Sequence, residues 1–456
     1  MAKHLTGDLM ISVSGVRGIV GRSLTPELLV RLGQAFGTYL GGGRVVVGRD
    51  TRVSGEMVKH SVFGGLISTG CTIYDVGIVA TPTATLMIRE LKADGGIVIT
   101  ASHNPVEWNA LKFFRADGSY LNVDEGRDLL NIYYSGDFNR RQWDGLHEGS
   151  LVPDSEAHHV ERVLAELDVD LIRKRNFCVT LDCCNGAGIG VSLRLLRALH
   201  CRVEPIHCTP DGLFPHTPEP NFINLQDLCA FTKEKKADIG FATDPDADRV
   251  AMVAETGEFM GEELSLALAA ECVLSKPNCP PGPLVTNMST SRLVEDIARE
   301  AGRTVVRTPV GEVHVAERML ELGSPIGGEG NGGVMYPRVH CARDAVVGMG
   351  LILEHMARKE KTIGRLAEGL PKYFMVKEKV DCPTARGREI IRRLRAEIVA
   401  DRVNTEDGIR LDWADRWVHL RASNTEPVLR IIAEAPSQAE ARRLTDEYGV
   451  FVNRLL

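Results

Sequence analysis

Ile97-Val98-Ile99-Thr100-Ala101-Ser102-His103-Asn104-Pro105 is the stretch on which the reading of this chain turns. A β-branched apolar run after Gly95-Gly96 predicts a short buried strand. The run breaks into small and polar residues, and Pro105 steers Asn104 away from helical backbone. The strand therefore delivers a hydroxyl, Ser102, on a stiff turn at the carboxyl edge of a sheet, where open α/β folds carry reactive groups. Good turn formers alone also make such a segment, so the meaning of Ser102 depends on what else the chain brings to it.

Length and composition narrow the setting. A chain of 456 residues is too long for one core and predicts three or four domains. Apolar and charged fractions of 44% and 25% are those of an ordinary globular protein. A net charge of −7 leaves no basic excess for sequence-independent nucleic-acid binding, while local cationic pockets for small anions stay open. The first residues lack an apolar signal core, and no apolar run approaches the ~18 residues needed to span a bilayer. The expectation is a cytoplasmic protein with neither nucleic acid nor membrane as partner. The 11 cysteines are scattered with no Cys-x-x-Cys pair, which predicts buried free thiols rather than disulfides or a structural zinc.

Along the chain, strand-like runs alternate with helical patterns. Arg44–Gly48 and Thr72–Val76 read as strands, with helix-spaced apolar residues at Leu28–Leu40 and Glu56–Leu66. A second unit opens with a helix near His158–Leu167 and a strand at Phe177–Asp182. Asn185-Gly186-Ala187-Gly188-Ile189-Gly190 then matches a dinucleotide fingerprint only in part and also fits a tight glycine turn before a helix. A third unit carries a helix at Leu264–Leu274 and strands at Pro283–Asn287 and Thr304–Thr308. From about residue 372 strands neighbour strands, at Tyr373–Val380, Gly408–Trp413, Trp417–Arg421 and Pro427–Ala433, with helices at Arg388–Val399 and Glu440–Leu456. The fold class is thus α/β: three related α/β domains with mixed sheets, at 1–152, 153–257 and 258–370, and a smaller α+β domain at 371–456.

The second chemical signal is Asp244-Pro245-Asp246-Ala247-Asp248-Arg249, set between two apolar strand-like runs. In extended backbone residues i, i+2 and i+4 share a face, so three carboxylates converge. Like charges that close need a cation, and hard oxygen ligands suit Mg2+ or Mn2+. An EF-hand calcium loop competes, with Glu255 at its twelfth position. It fails on Arg249, which stands where that loop requires Gly, and on its strand-like flanks. A solvated acidic turn remains the plain alternative.

Two further loops carry polar groups. Gly327-Gly328-Glu329-Gly330-Asn331-Gly332-Gly333 allows close backbone approach, and Glu329 with Asn331 suits sugar hydroxyls or an amine; a flexible turn explains the glycines equally well. Arg421-Ala422-Ser423-Asn424-Thr425-Glu426-Pro427, with Arg430 beyond it, gathers hydroxyls, an amide and two guanidiniums, a receptor for a dianionic phosphate.

In order and spacing these four loops resemble the α-D-phosphohexomutases over essentially the whole chain. The resemblance implies three related α/β domains and a smaller C-terminal one around a central cleft. It implies a phosphorylated Ser102, with Mg2+ held by Asp244, Asp246, Asp248 and a phosphoserine oxygen, and Arg249 facing the reacting phosphoryl group. Asn109 and Lys112 match the segment that supplies a general base, Arg17 an active-site arginine, and His103 becomes a neighbour supporting the phosphoserine. Glu329 and Asn331 would meet the sugar, Thr308 and Gly311 fall on the specificity loop, and Arg421, Ser423, Asn424, Thr425 and Arg430 would clamp the non-reacting phosphate. The implied reaction interconverts hexose 6-phosphate and hexose 1-phosphate through a hexose 1,6-bisphosphate that also serves as activator, in a monomer or homodimer.

The glycine loop departs from the Glu-x-Ser-Gly-His form common in relatives, and His340 or Arg343-Asp344 are the candidates to replace the missing contacts. Its form favours a phosphorylated hexosamine, glucosamine phosphate, with mannose or glucose phosphate as the alternative. A serine hydrolase using His103 fails for want of a Gly-x-Ser-x-Gly elbow. A non-catalytic sugar-phosphate binder would not need Ser102, Lys112 and the aspartates together.

Overall fold

The computed structural model describes residues 9–12, 15–397, 400–423 and 428–456. Their strands gather into four sheets. The first has seven strands, in the order Met10–Ser12, Gly15–Ile19, Trp108–Arg115, Gly95–Ile99, Arg44–Arg49, Thr72–Ile78 and Ser150–Leu151. Strand alternation sorts its side chains onto two faces. Val45, Val47, Ile97 and Ile99 pack under the helices Pro26–Tyr39 and Gly55–Ser68, whereas Val46 and Val98 pack under Thr81–Glu90. The first of these helices starts where Thr25 accepts the Leu28 N–H and Pro26 occupies the first turn, a position that needs no amide hydrogen.

The second and third sheets are built alike. Arg202–Ile206, Cys178–Asp182 and Ile239–Thr243 run parallel, and Val250–Ala254 closes the edge antiparallel. Val305–Thr308, Leu284–Asn287 and Gly327–Glu329 run parallel, and Gly333–Met335 closes that edge antiparallel. The first sheet repeats the step, because Gly95–Ile99 is parallel to Arg44–Arg49 and antiparallel to Trp108–Arg115. Three loops therefore occupy one topological position in three related sheets: residues 100–107, 244–249 and 330–332. Each turns from the carboxyl end of a parallel strand into an antiparallel neighbour.

The fourth sheet is wholly antiparallel, in the order Phe374–Asp381, Val428–Ala435, Trp417–Ala422, Ile409–Asp412 and Arg402–Asn404. It has its own core with the helices Thr384–Glu397 and Gln438–Leu455, in which Leu394, Leu429, Leu444 and Val452 meet. The second and third units instead share one continuous core. Val163, Leu195, Leu266, Val347 and Met349 belong to it, and the helix Ala345–Lys359 spans the two.

One local expectation needs correction. The glycine stretch 327–333 is not a single loop but a tight hairpin of two short strands. The other glycine stretch follows the tight-turn alternative without correction: the helix after Asp182 begins at Gly188, and Gly186 sits against the Pro245 backbone. A β-carbon on Gly186 would lie 2.5 Å from the Pro245 Cα. The cysteines are free thiols, as the spacing predicted.

Candidate active site

The serine turn is held from beneath by a side chain that the motif reading passed over. Arg52 is fully buried. Its Nη2 donates to the carbonyls of Ser102 and Asn104 (both 2.7 Å), its Nη1 to those of Pro105 (2.6 Å) and Trp108 (3.0 Å), and its Nε to Asp50 (3.0 Å). One guanidinium thereby satisfies four carbonyls of a turn that has no ladder of its own. Asp50 also accepts the Thr100 hydroxyl, and Thr100 Oγ1 accepts the Ser102 N–H. So braced, Ser102 sits at φ 49°, a left-handed conformation that costs a non-glycine residue about 1–3 kcal/mol.

That conformation aims the hydroxyl at the acidic loop of the second unit. Ser102 Oγ donates to Asp244 Oδ2 at 2.7 Å, across 142 residues of chain. Asp244, Asp246 and Asp248 are buried, with ligand oxygens all within 4.8 Å of one another. Lys112 Nζ lies 2.6 Å from Asp246 Oδ2 and 3.8 Å from Asp248 Oδ2, and Thr81 donates to Asp246 at 2.7 Å. Burial opposes ionisation of Asp246, but the Lys112 ammonium outweighs it and holds this carboxyl far below its usual range. Asp244 goes the other way: burial and the two neighbouring carboxylates push it well above its usual range. Oδ1 of Asp246 and of Asp248 are buried without a hydrogen bond.

Arg343 ties this loop to the sugar hairpin. It reaches Asp248 Oδ2 (2.5 Å), Glu329 Oε2 (2.8 Å) and Glu312 Oε2 (2.9 Å). Five carboxylates, Asp244, Asp246, Asp248, Glu312 and Glu329, thus share the site with three cations, Lys112, Arg249 and Arg343. With every carboxylate ionised, the state a bound cation favours, the excess is two negative charges, that of one divalent cation. The hard oxygen set, its crowding and its two orphaned oxygens fit Mg2+.

The remaining expected residues fall as follows. Arg17 Nη1 donates to Asn104 Oδ1 at 3.1 Å, joining the first hairpin to the serine turn. His103 Nδ1 lies 3.5 Å from Ser102 Oγ; burial, then Arg249 and Arg17, keep its imidazole neutral. Arg249 Nε is buried 3.6 Å from Asp248 Oδ1. Asn109 does not line the site. It is fully buried, donates to Ser54 and accepts the Ala110 N–H, so it braces the strand behind Lys112.

Glu329 accepts Asn287 Nδ2 (2.8 Å) and the Gly311 N–H (3.2 Å) on Oε1. Burial opposes its charge, but Arg343 and Asn287 prevail and keep it below the usual range. Asn331 Oδ1 is buried without a partner, and Thr308 is tucked beneath, bonding the Thr286 and Pro309 carbonyls. Of the two candidates to replace the missing loop contacts, Arg343 reaches Glu329 and His340 does not. His340 Nε2 instead pairs with Asp344 Oδ2 at 2.8 Å, beside His159.

From Glu329 the connections continue into the fourth unit. Gly311 adjoins Val310, whose N–H donates to Asp407 Oδ2 at 3.0 Å, and Arg421 Nε lies 3.2 Å from the same oxygen. Arg421 and Arg430 are direct cross-strand partners, a concentration of positive charge that favours an anion. Ser423 is buried at the strand end. Asn424 and Thr425 lie outside the described residues. A chain of contacts thus leads from Ser102 through Asp244 and its neighbour Asp248, then Arg343 and Glu329, to Arg421.

A strained hydroxyl on a cation-deficient carboxylate cluster, with guanidiniums on either side, defines the class as a phosphoryl-transfer site. The chain matches the phosphoglucomutase/phosphomannomutase families throughout: alpha/beta/alpha domain I over residues 9–140, domain II over 157–257, domain III over 261–374 and the C-terminal domain over 375–448. It is 40% identical to a probable phosphoglucosamine mutase of Methanopyrus kandleri, over 97% of each chain. It is 41% identical to a phosphoglucomutase/phosphomannomutase of Thermococcus kodakarensis, over 94% of this chain and 95% of that one. A crystal structure of a phosphoglucomutase/phosphomannomutase family protein from Burkholderia thailandensis superposes with a TM-score of 0.88 at 28% identity, covering 99% and 98%. The chain belongs to the α-D-phosphohexomutase superfamily, and it is an intramolecular phosphotransferase of that family.

Proposed function

We propose that this phosphohexomutase interconverts glucosamine 6-phosphate and glucosamine 1-phosphate, with Ser102 as the phosphate carrier. The observation that supports the mechanism is the 2.7 Å hydrogen bond from Ser102 Oγ to Asp244, which sets the serine hydroxyl against the acidic cluster. The Methanopyrus kandleri relative's name and the Glu329-Gly330-Asn331 form of the hairpin support the hexosamine assignment.

Asp244, Asp246 and Asp248 would hold Mg2+ together with an oxygen of phosphorylated Ser102. Bound there, the cation supplies charge neutralisation on the transferring group. The phosphoryl group passes from Ser102 Oγ to the free hydroxyl of the sugar phosphate, giving a hexose 1,6-bisphosphate. That bisphosphate turns end for end and returns its other phosphate to Ser102. Arg249 faces the reacting phosphoryl group, and Arg17 fixes the turn through Asn104. Lys112 is the proton carrier, taking the proton of the attacking hydroxyl and returning one to Ser102 Oγ; its pairing with Asp246 holds it protonated, so it acts as a base only once that pairing loosens and the ammonium has given up its proton.

Glu329 and Asn331 take the sugar's hydroxyl or amine edge, at the partnerless Asn331 Oδ1. Arg421, Ser423, Asn424, Thr425 and Arg430 hold the distal phosphate, which must bind identically from either end of the sugar. The free thiols fit a reducing cytoplasm. No described helix is long and apolar enough to cross a membrane.

Glucosamine, N-acetylglucosamine, glucose and mannose phosphates, assayed side by side with a trace of bisphosphate, test this reading. The highest kcat/KM is expected on glucosamine phosphate, with loss of activity in excess chelator and in Ser102→Ala. A higher value on mannose or glucose phosphate moves the substrate to the branch that the Thermococcus kodakarensis relative's name indicates.

A further inference from the structure

A second cluster of ligand-capable side chains lies in the second unit, and the mechanism uses none of them. Asp182 ends the strand Cys178–Asp182, His207 follows the neighbouring strand Arg202–Ile206, and His216 comes from the loop beyond it. His207 Nδ1 is 2.8 Å and His216 Nε2 3.3 Å from the same oxygen, Asp182 Oδ2, and the three ligand atoms lie within 4.8 Å of one another.

Two of the three ligands are already held by their far atoms, and the third faces a carboxylate. His216 Nδ1 donates to the Thr217 carbonyl at 2.9 Å, turning Nε2 inward. His207 Nε2 lies 4.0 Å from the Asp227 carboxylate, leaving Nδ1 inward. Asp182 Oδ1 accepts the Cys184 N–H at 2.8 Å, leaving Oδ2 inward. Outer partners of this kind orient imidazoles and carboxylates at metal sites. Tetrahedral zinc bonds of about 2.0–2.1 Å set ligand atoms roughly 3.3 Å apart, so the His216–Asp182 separation already matches and the His207–Asp182 separation needs to open by about half an ångström.

We propose that Asp182, His207 and His216 form a second metal site, selective for Zn2+ or a similar borderline divalent ion over Mg2+. Two imidazoles and one carboxylate oxygen are poor partners for Mg2+ and good ones for zinc. Cys184 is no ligand, because its sulfur lies 3.9 Å from Nδ1 of His216, the outward nitrogen. The cysteine spacing that argued against structural zinc is therefore beside the point.

The site is placed to act on the serine turn. Asn185 Nδ2 donates to Leu213 O, Asn185 O accepts the Thr51 hydroxyl at 2.7 Å, and Phe214 lies under the Arg52 guanidinium at 4.8 Å. Ligation pins the loop that carries Phe214, and so steadies the arginine that braces Ser102. Ala187, on the loop that follows Asp182, donates its N–H to the Pro245 carbonyl, so that loop abuts the catalytic aspartates.

Equilibrium dialysis of the full-length protein against Zn2+, in excess Mg2+ that saturates the catalytic triad, tests the assignment. Wild type and the Asp244→Asn/Asp246→Asn variant are expected to retain one equivalent of Zn2+, and His207→Gln/His216→Gln to lose it. X-ray absorption at the zinc edge of the wild type, which depends on no variant, should show two imidazoles with oxygen and no sulfur. No retained zinc, retention unchanged in the histidine variant, or a sulfur-containing shell overturns the proposal. These readouts are independent of mutase activity, so they stand or fall apart from the substrate assignment.

Discussion

Arg52 is the residue on which the serine turn depends, and no motif announces it. Its four carbonyl acceptors and its carboxylate partner lie within Asp50–Trp108, so its importance exists only once the two strand ends are side by side. Arg52→Met leaves Asp50 buried without its counter-charge, and a broken buried pair costs about 3–5 kcal/mol. A lowered thermal midpoint and a much lower kcat are the expected outcomes in calorimetry and steady-state assays. Arg52→Lys should rescue charge but not the turn, so kcat stays low while stability partly returns. Ser102, the three aspartates and Arg249 were legible because each carries its chemistry in a short motif. Arg343 was legible only as a candidate, since Asp248, Glu312 and Glu329 are brought to it by three different segments. Asn109 shows the converse error, because a position inside a chemically rich motif can belong to the scaffold.

At the scale of elements, the three α/β units place their chemistry on one repeated step, from a parallel strand into an antiparallel neighbour. Strand periodicity revealed most of the parallel strands, though not Arg202–Ile206 or Gly327–Glu329. It missed the antiparallel partner Trp108–Arg115, which is buried on both faces and shows no alternation. It also took the hairpin at 327–333 for a loop, because glycines carry no side-chain pattern to read. Some of those glycines serve contact rather than ligand. A β-carbon on Gly332 would lie 2.6 Å from the Val250 carbonyl, where the sugar hairpin packs on the strand leaving the metal loop. Gly186→Ala tests the equivalent contact on the other side. Its added methyl meets Pro245 backbone at 2.5 Å, and such overpacking costs about 1–3 kcal/mol. The expected result is a weakened Mg2+ requirement curve and reduced kcat, read by titrating activity against Mg2+. An unchanged curve would show that the loops move independently.

At the scale of the molecule, the second and third units share a core while the fourth has its own, joined to the third by polar contacts. One of these is His419, which meets Ser289 Oγ at 2.9 Å and the Asp407 carbonyl at 2.7 Å. Burial, with Arg410 and Arg421 nearby, lowers its pKa to about 4 against an opposing pull from Asp407. A folded value below the unfolded one means that the native state prefers the neutral ring. Its stabilisation is complete above about pH 6.5 and is lost as the pH falls through about 4. The thermal midpoint should therefore decline over that window, and His419→Gln should flatten the slope. The domain count and order were legible from the alternation of strands and helices. The continuity of the second and third cores was not, because packing between units leaves no periodicity of its own.

The central claim is that Ser102 carries the phosphoryl group, and intact-mass spectrometry of the purified protein tests it most directly. After incubation with Mg2+ and hexose 1,6-bisphosphate, an adduct of ~80 Da should appear and map to Ser102, and it should be absent from Ser102→Ala. A wild-type mass without that adduct under turnover, or a Ser102→Ala protein that still interconverts the 6- and 1-phosphates at the wild-type rate, would contradict the account.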